Sequence, residues 1–419
     1  MDISNHPCFN AEARHRTGRI HLPVAPKCNV QCNFCDRKFD CANESRPGVS
    51  TGILKPQQAL SYLDTINQQV HNLAVVGIAG PGDPFANPKE TMETLELVHS
   101  RYPEKLLCIS TNGLSLLEYI PRLAELNVSH VTITVNSVDP VVGAEVYEWV
   151  HFNKKTYFGE EGSGILLQRQ TEAIRSLKHH GITLKINTVV IPRVNEHHIP
   201  EIAQYVSKLG ADVQNCIPLI PVEGTPFGQL YEPSLSSMRS VRAKTSLYIK
   251  QMTHCARCRA DAVGLLGEGN SSESEQLLKQ AKNRLSFETK PYIAITSTNG
   301  VLINQHLGEA SHLWIFGFQN KKVELIEKRS IAEAQFSNNR WNNIASILSD
   351  CAALLVNGIG ATPLETLKKE GLFVEAVRGS VSESLEALFT GKPIAQKSLK
   401  LAGNCGVGGG CSGSGDGCS

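Results

Sequence analysis

The sequence has no excess of charge of either sign, because 41 Lys and Arg residues stand against 40 Asp and Glu residues in a chain of 419. A nearly neutral chain produces no long-range field that would collect nucleic acid or anionic lipid. The sequence also has no apolar run of bilayer length, and residues 1–18 contain no apolar signal core. We therefore expect a cytoplasmic protein with neither nucleic acid nor a membrane among its partners.

Cysteine, in contrast, is abundant, with 13 residues. Because cytosolic thiols are kept reduced, these residues are expected to be metal ligands, catalytic groups or buried fillers rather than disulfides. Hydrophobic residues make up 41% and charged residues 19% of the chain, which is typical of a globular protein. A single hydrophobic core rarely reaches this length, so two domains are expected.

Short β-branched runs alternate with amphipathic stretches in the first half of the chain. The candidate strands are 19–26, 73–80, 105–111, 130–136, 182–191 and 213–220. Candidate helices between them include 56–70, 88–100 and 165–181. This alternation predicts an α/β fold with parallel strands and right-handed crossovers. Without an early Gly-rich dinucleotide turn, six such units indicate a partial (βα)6 barrel resembling a TIM barrel, with its active face at the strand C-termini.

A second apolar pattern begins at Tyr292 and predicts a smaller α/β domain. The intervening stretch is polar and reads as a linker with room for a short helix. The last stretch is rich in Gly and Ser and cannot build a core; for its cysteines (Cys405, Cys411 and Cys418), iron scavenging and no fixed role both stay open. We predict a barrel domain at 1–268, a linker at 269–288, the second domain at 289–396 and a flexible tail at 397–419.

The most informative motif is C-x3-C-x2-C, formed by Cys28, Cys32 and Cys35 directly after the first predicted strand. Three thiolates at this spacing fit three corners of a [4Fe–4S] cube, which normally takes four, so one iron is left open. A zinc site or structural cysteines are the alternatives, but the position before a βα repeat favours the cluster. The pattern resembles the radical S-adenosylmethionine (SAM) superfamily, where the open iron binds SAM.

Further residues match that superfamily's SAM-binding pattern. The turn "AGPGDP" (79–84) follows the second predicted strand and resembles the motif that contacts the SAM amino group, although a plain turn explains it as well. The resemblance makes Gly80, Gly82 and Asp83 its contacts. It also implies strand-end contacts with the ribose and adenine, for which filling of the barrel interior is the competing explanation: Thr111, Asn112, Thr132, Thr134, Asn136 and Ile186.

Several separate segments, in the same order, resemble the NifB family of nitrogenase cofactor maturases from residue 6 to about residue 268. They include "HPC" at Cys8, "ANESRPGV" (42–49), and "CARC" followed by "RADAVGLLGE" (259–268). The resemblance implies two further [4Fe–4S] clusters besides the SAM cluster. Their implied ligands are His21, Cys41 and Cys108 for the first, and Cys8, Cys255 and Cys258 for the second. Cys216 and Cys351 match no family role and are taken as structural.

The resemblance also implies a reaction. The family fuses the two clusters around a carbide that comes from a SAM methyl group, and the product is the eight-iron precursor of the iron–molybdenum cofactor. The implied partners are iron–sulfur cluster donors, carrier or scaffold proteins of nitrogenase assembly, and a low-potential electron donor. His21, Glu44 and Arg46 are the candidates for acid–base or charge-neutralising roles, although a surface ion pair explains Glu44 and Arg46 equally well.

The second domain, with His306 before Gly308, resembles the cofactor-carrier domains of the NifX and NafY type. Two other functions stay open at this point. One is a radical SAM enzyme that modifies peptides and uses auxiliary clusters for electron transfer. The other is a non-enzymatic carrier of iron–sulfur clusters, for which the Gly- and Cys-rich tail speaks.

Overall fold

The computed structural model describes residues 5–43, 48–268, 270–283, 290–319, 322–337 and 339–390, together with residues 285, 287 and 394. The chain divides into two compact units, Met1–Lys282 and Asn283–Ser419. Within the described ranges, no helix combines the length and the apolar character that crossing a membrane requires.

The first unit alternates strands and helices. Its strands are β1 (Gly18–His21), β2 (Val30–Cys32), β3 (Leu73–Ile78), β4 (Leu106–Thr111), β5 (Val128–Thr134), β6 (Tyr147–Phe152), β7 (Lys155–Tyr157), β8 (Thr183–Val190), β9 (Val213–Pro218) and β10 (Val263–Gly264). Its helices are α1 (Pro56–Gln69), α2 (Pro88–Arg101), α3 (Ile120–Glu125), α4 (Pro140–Val146), α5 (Gly159–His179), α6 (Ile199–Lys208), α7 (Leu235–Thr245) and α8 (Ser272–Asn283).

Six of these strands form a parallel sheet in the order β1-β3-β4-β5-β8-β9, and β10 adds an antiparallel strand beside β1. Each parallel strand coincides with one of the six runs that the sequence predicts. In the described chain the first and last strands of the sheet do not pair, so the sheet stays open. The predicted partial barrel is confirmed.

The helices cover the outer face of this sheet. In α1, a proline at the first helical position favours the helix start, and Ala59, Tyr62, Leu63 and Ile66 form one buried stripe at helical spacing. The strands turn alternate residues toward the same layer, which forms one large apolar core. Strand residues in that core include Ile20, Leu22, Ile109, Ile133, Leu184 and Ile186.

The inner face of the same sheet is polar. Ser110, Thr132 and Lys185 lie opposite one another on β4, β5 and β8, and all three are buried. One residue away along the strands, the neighbouring positions are the apolar core residues of the outer face. Since polar and charged side chains are rare in a packed core, the inner face indicates a site rather than a packed barrel core.

The structure adds a small sheet that the sequence analysis does not predict. Strands β2, β6 and β7 pair antiparallel, and β2 ends at Cys32. Val30 and Val150 are cross-strand partners in this sheet, and both are buried. The added sheet therefore fixes the backbone that carries the middle thiol of the C-x3-C-x2-C motif.

Much of the stretch expected as a linker is helix α8, which packs on the first unit. Leu278 belongs to the large apolar core, the hydroxyl of Tyr62 donates to the carbonyl of Ser274 at 3.3 Å, and the amide of Gln58 donates to the carbonyl of Lys282 at 2.7 Å. The first unit accordingly continues to Lys282 rather than ending at 268.

The second unit is a smaller α/β domain. Its strands are β11 (Tyr292–Ile295), β12 (Leu302–Ile303), β13 (His312–Gln319), β14 (Lys322–Ser330), β15 (Cys351–Val356), β16 (Phe373–Ala376) and β17 (Gly379–Ser380), and its helices are α9 (Ala332–Gln335), α10 (Arg340–Ile347), α11 (Ala361–Lys369) and α12 (Val381–Thr390). Five strands form a mixed sheet in the order β14-β13-β11-β15-β16. Apolar clusters lie on both faces of it, as expected of a central sheet between helices.

The packing of α8 gives a first prediction. Leu278→Ala removes a side chain that is only 1% exposed, so the free energy of unfolding of the first unit should fall by about 2–5 kcal/mol. Urea denaturation of the full chain measures this change. Gln276→Ala, at an exposed position of the same helix, is the control and should change the stability by no more than about 0.5 kcal/mol. Equal stability of the two variants would mean that α8 is not part of the core.

Candidate active site

The three thiols of the C-x3-C-x2-C motif lie close together beyond the carboxyl end of β1. The backbone N–H of Cys35 donates to the carbonyl of Cys32 at 3.0 Å, so a tight turn joins these two residues. Burial, followed by the charge of the nearby Asp83 carboxylate, raises the pKa of Cys28 to about 11. Burial also raises the pKa of Cys32 well above its usual value, and the Cys35 thiol adds to this effect. Thiols in such surroundings keep their protons unless a metal takes up the thiolate charge.

Asn43 joins the thiol loop to the barrel interior. Its side-chain amide lies 3.6 Å from the sulfur of Cys32 and 3.6 Å from the sulfur of Cys41. Its own oxygens accept from the amides of Asn136, at 3.0 Å, and of Asn187, at 3.2 Å. This buried network holds Cys41 beside the first thiol group and ties both to strands β5 and β8.

Arg37 and Asn112 also approach the thiols. The guanidinium of Arg37 donates to the carbonyl of Pro26 at 2.7 Å and lies within electrostatic range of Cys28 and Cys35. Its Nη1 is buried and has no hydrogen-bond partner among the described residues. The Asn112 amide lies 3.9 Å from the Cys28 sulfur. A half-buried cation and an amide beside thiols are suited to a group that carries negative charge.

The turn after β3 packs directly against the thiol loop. The N–H of Gly82 donates to the carbonyl of Ala25 at 2.6 Å, and the N–H of Asp83 donates to the carbonyl of Lys27 at 2.8 Å. A Cβ atom on Gly82 would lie 2.1 Å from the Lys27 oxygen, so only glycine fits. Gly80 has a φ of 131°, which L side chains rarely adopt. Two of the predicted SAM-contacting residues are thus glycines that the backbone itself requires.

The Asp83 carboxylate links this turn to the end of β4. It accepts from the N–H of Phe85 at 2.9 Å, from the Thr111 hydroxyl at 2.8 Å and from the N–H of Asn112 at 2.6 Å. It is 3% exposed, and burial raises its pKa. These bonds give Asp83 and Thr111 a supporting role, and direct contact of either side chain with SAM stays a prediction.

A second group of candidate ligands lies on the inner face of the sheet. His21 on β1, Gly77 on β3 and Cys108 on β4 are consecutive partners in the parallel register. A Cβ atom on Gly77 would lie 2.9 Å from Cδ2 of His21, so this glycine makes room for the imidazole ring. The structure thus places His21 and Cys108 on the same face of the sheet, with Gly77 between them in the register.

The imidazole of His21 is held in a single orientation. Its Nδ1 lies 2.9 Å from the carbonyl oxygen of Arg259, which can only accept, so Nδ1 is the protonated nitrogen. Burial, followed by the charge of Arg19, lowers the His21 pKa to about 4. A neutral ring with Nε2 as its lone-pair nitrogen is the form in which histidine binds a metal.

The third group joins the two ends of the first unit. The pKa of Cys8 is raised to about 11, mainly by burial. The sulfurs of Cys258 and Cys255 lie close enough to contribute to this rise. Nε2 of His254 lies 3.0 Å from the carbonyl oxygen of Pro7, which fixes the N-terminal segment to the segment that carries the other two thiols. The structure therefore brings all three predicted residues together.

The predicted ribose and adenine contacts divide between the two faces of the sheet. Thr132 and Thr134 lie on the inner face, and Thr134 is the register partner of Asn187. Asn136 is fully buried and accepts from the N–H of Val189 at 2.9 Å. Ile186, in contrast, is fully buried in the core between sheet and helices, so the structure does not bring its side chain to the inner face. Glu44 and Arg46 lie outside the described residues.

Within the described ranges, the candidate ligands form no site for a single metal ion. Among the described residues, no three His, Cys, Asp or Glu side chains converge on one point, as a mononuclear site would require. In a cube each ligand binds a different iron at a different corner, so its ligands stand apart. The ten described cysteines also form no disulfide.

Four residues of this site are missing from the sequence-based predictions as functional groups: Arg19, Arg37, Asn43 and Lys185. For two of them a signal exists. Arg19 precedes His21 by two positions and so shares its face, and Lys185 is the one charged residue in the strand run 182–191. No pattern identifies Asn43, whose role depends on side chains that are distant in sequence.

Comparison with known families agrees with this geometry. Residues 22–206 match the radical SAM superfamily, and residues 289–391 match the dinitrogenase iron–molybdenum cofactor family. The first unit therefore defines an enzyme of the radical SAM type, a class that uses a [4Fe–4S] cluster together with SAM.

Comparison with individual relatives identifies the family within the radical SAM enzymes. The chain is 48% identical over 400 residues to FeMo cofactor biosynthesis protein NifB of Chlorobaculum tepidum, covering 94% of each chain. It is 38% identical to the Klebsiella pneumoniae protein of that name, covering 91% of this chain and 89% of the relative. For the Frankia alni protein the identity is 36%, with 88% and 84% covered. The chain belongs to the NifB family.

The tight approach of the turn to the thiol loop gives a second prediction. In Gly82→Ala the new methyl group would overlap the Lys27 carbonyl oxygen, so the turn must move away from Cys28. SAM binding and 5′-deoxyadenosine formation by the reconstituted enzyme should fall by at least tenfold. Gly164→Ala in α5 is the control, because the nearest atom to its Cβ lies 3.9 Å away. Native SAM affinity in Gly82→Ala would contradict the prediction.

Proposed function

We propose that this enzyme joins two [4Fe–4S] clusters around a SAM-derived carbide and so makes the eight-iron precursor of the nitrogenase iron–molybdenum cofactor. The observation that carries the proposal is the presence of three groups of candidate cluster ligands in one half-barrel. Asn43 connects the first group to Cys41 of the second, and β1 connects the second to the third. Each group has three ligands, which leaves one iron of every cube open to change.

The first group, Cys28, Cys32 and Cys35, is the one that would hold the resident cluster. When bound, that cluster supplies the electron for reductive cleavage of SAM. The protein's own contribution is to exclude water and to fix geometry. The thiols are largely buried, and the glycine turn after β3 brings backbone N–H and carbonyl groups to their side.

The second group, His21, Cys41 and Cys108, is proposed to hold the first substrate cluster. As a neutral ligand, His21 adds no charge to the cluster. Its Nδ1 donates to the Arg259 carbonyl, which leaves Nε2 as the nitrogen that would bind iron. A ligand that is neutral and weakly basic can leave the iron and take up a proton when the cluster is remodelled. We propose this double role for His21, with Glu44 and Arg46 as the neighbouring acid–base and charge-neutralising groups.

The third group, Cys8, Cys255 and Cys258, is proposed to hold the second substrate cluster, which receives the methyl group. Its ligands come from segments before β1 and after β9, and they meet at the edge where β10 pairs with β1. Arg19 and His21 are two residues apart on β1, which corresponds to about 6.6 Å along a strand. Clusters at neighbouring positions of one strand are close enough to be fused.

The second unit is an α/β domain, and we propose that it spans 289–396. Its residues 289–391 match the dinitrogenase iron–molybdenum cofactor family. We propose that it docks carrier or scaffold proteins of nitrogenase assembly, while cluster donors and a low-potential electron donor serve the first unit. The tail cysteines, Cys405, Cys411 and Cys418, lie outside the described residues.

A third prediction tests the reaction. With dithionite and SAM, the reconstituted enzyme should form both 5′-deoxyadenosine and S-adenosylhomocysteine, the second from methyl transfer. Cys28→Ala should abolish both products, because it removes a ligand of the resident cluster. Cys258→Ala should reduce S-adenosylhomocysteine at least tenfold and leave SAM cleavage measurable. Cys216→Ala, which changes a buried thiol in the outer core, is the control and should form both products.

The same measurement separates the alternatives. Formation of 5′-deoxyadenosine without S-adenosylhomocysteine would favour a peptide-modifying enzyme with auxiliary clusters. Absence of both products from a protein that retains iron would favour a cluster carrier. Either result would overturn the proposed function.

A fourth prediction concerns Gly77, which lies between His21 and Cys108 in the register of the sheet. Gly77→Ala should displace the His21 ring and so remove the cluster between His21 and Cys108, which means about four fewer irons per chain. Iron analysis and electron paramagnetic resonance (EPR) after reconstitution measure this loss. Gly164→Ala again serves as the control. Full iron content in Gly77→Ala would show that no cluster is bound by His21 and Cys108.

A further inference from the structure

We propose that Arg19 is a positioning residue for the cluster at Cys8, Cys255 and Cys258, where its guanidinium donates to the Cys258 thiolate and raises the reduction potential of that cluster. Lys185 supplies a second positive charge to the same place. This inference rests on the proposed function, since it requires a cluster at these three thiols. It assigns a role to two buried cations that are not cluster ligands.

The guanidinium of Arg19 is held rigidly. Its Nη1 donates to the carbonyls of Gly264, at 2.5 Å, and Leu265, at 2.9 Å, which form the turn of the edge strand β10. Its Nη2 lies 3.2 Å from the sulfur of Cys258. Because the two carbonyls fix the plane of the group, Nη2 is aimed at the sulfur before any cluster is bound.

The burial of Arg19 is hard to explain by packing alone. The side chain is 2% exposed, and its Nε is buried without a hydrogen-bond partner among the described residues. No carboxylate in the described chain forms an ion pair with it, and carbonyls carry no net charge. A buried cation without a counter-ion is strongly destabilising. Thiolates bound to iron would supply the missing negative charge.

Lys185 is a second buried cation near the same thiols. It lies on the inner face of β8, is 7% exposed, and its ammonium is 5.8 Å from the centre of the Phe9 ring. Burial raises the pKa of Cys8, and the charges of Lys185 and Arg19 act in the opposite direction. Both cations therefore lie within electrostatic range of the Cys8 sulfur.

Two histidines, His6 and His130, also lie on this part of the inner face. Their rings are packed with their centres 4.3 Å apart. The cations that act on the Cys8 thiol are Arg19 and Lys185.

The charge of the cluster decides what these cations do. A [4Fe–4S] core with three thiolates carries one net negative charge in its usual oxidised state and two after one-electron reduction. Fixed positive charges stabilise the more negative state more strongly. Arg19 and Lys185 should therefore make this cluster easier to reduce and bind it more tightly once reduced.

The test compares full-length variants that are reconstituted under anaerobic conditions and titrated by EPR. The signal of this cluster is the one lost in Cys8→Ala. Arg19→Met should shift its one-electron reduction equilibrium at least tenfold toward the oxidised state, which is about 59 mV more negative. Arg19→Lys, which keeps the charge, should recover part of the shift, and Lys185→Met should shift the potential in the same direction as Arg19→Met.

Arg242→Met is the matched control. Arg242 also has a buried Nε without a partner in the described structure, but its Nη2 donates to the carbonyl of Cys216, away from the predicted ligands. This variant should keep the native potential. A native potential in Arg19→Met would overturn the proposal.

Two further outcomes are decisive. If Arg19→Met also loses the SAM-binding cluster, Arg19→Lys decides: selective change at the Cys258 cluster supports the proposal, and equal weakening of all clusters overturns it. If Cys8→Ala, Cys255→Ala and Cys258→Ala all keep the native iron content and spectrum, no cluster is bound there. That result refutes the proposed function itself, whereas an unaltered potential in Arg19→Met refutes only the role of Arg19.

Discussion

The arrangement of this molecule depends on the register of its parallel sheet. Parallel strands place side chains of one register row on the same face, so His21, Gly77 and Cys108 form a row across β1, β3 and β4. The outer face of the sheet is apolar and covered by helices, which leaves the inner face for polar groups. In the proposed function, a cluster bound at this face would use the imidazole and the thiol of this row as ligands. A shift of one residue in β1 would turn His21 into the apolar core and Ile20 or Leu22 into the site.

Much of the fold follows from the sequence because its signals are local. All six barrel strands and all five strands of the main C-terminal sheet coincide with runs of β-branched and apolar residues, and the helices between them have one apolar face. The small sheet of β2, β6 and β7 escapes prediction, since its strands are short and β2 pairs with β6 across more than a hundred residues. The sequence leaves room for a short helix at α8 but does not show that this helix packs on the first unit, because a polar stretch with one apolar stripe resembles a linker until its partner surface is known.

The site is predicted less completely than the fold. Spacing identifies the C-x3-C-x2-C motif, and family resemblance supplies the other ligands, because neither composition nor period links Cys8 with Cys258. Asp83 shows the limit of motif reading: its carboxylate holds Thr111 and Asn112 in the structure, while a motif indicates only proximity to SAM. Ile186 shows the opposite error, in which a residue is predicted at the site but lies in the core. The face of the sheet that an apolar strand residue occupies depends on the register of the strand, and a single sequence does not give this register.

A cluster bound at the third ligand group would affect how easily the two ends of the first unit separate. Cys8 precedes the first barrel strand and Cys255 follows the last parallel one, so a metal cluster held by both acts as a cross-link that closes nearly the entire barrel chain into a loop. Such a cross-link removes conformational entropy from the open state and stabilises the closed one, as a disulfide over a long loop does. In the proposed reaction this cluster is consumed, so the cross-link would be lost at each turnover. The next substrate cluster would have to close the same part of the barrel again, and release of the product would then be coupled to its completion.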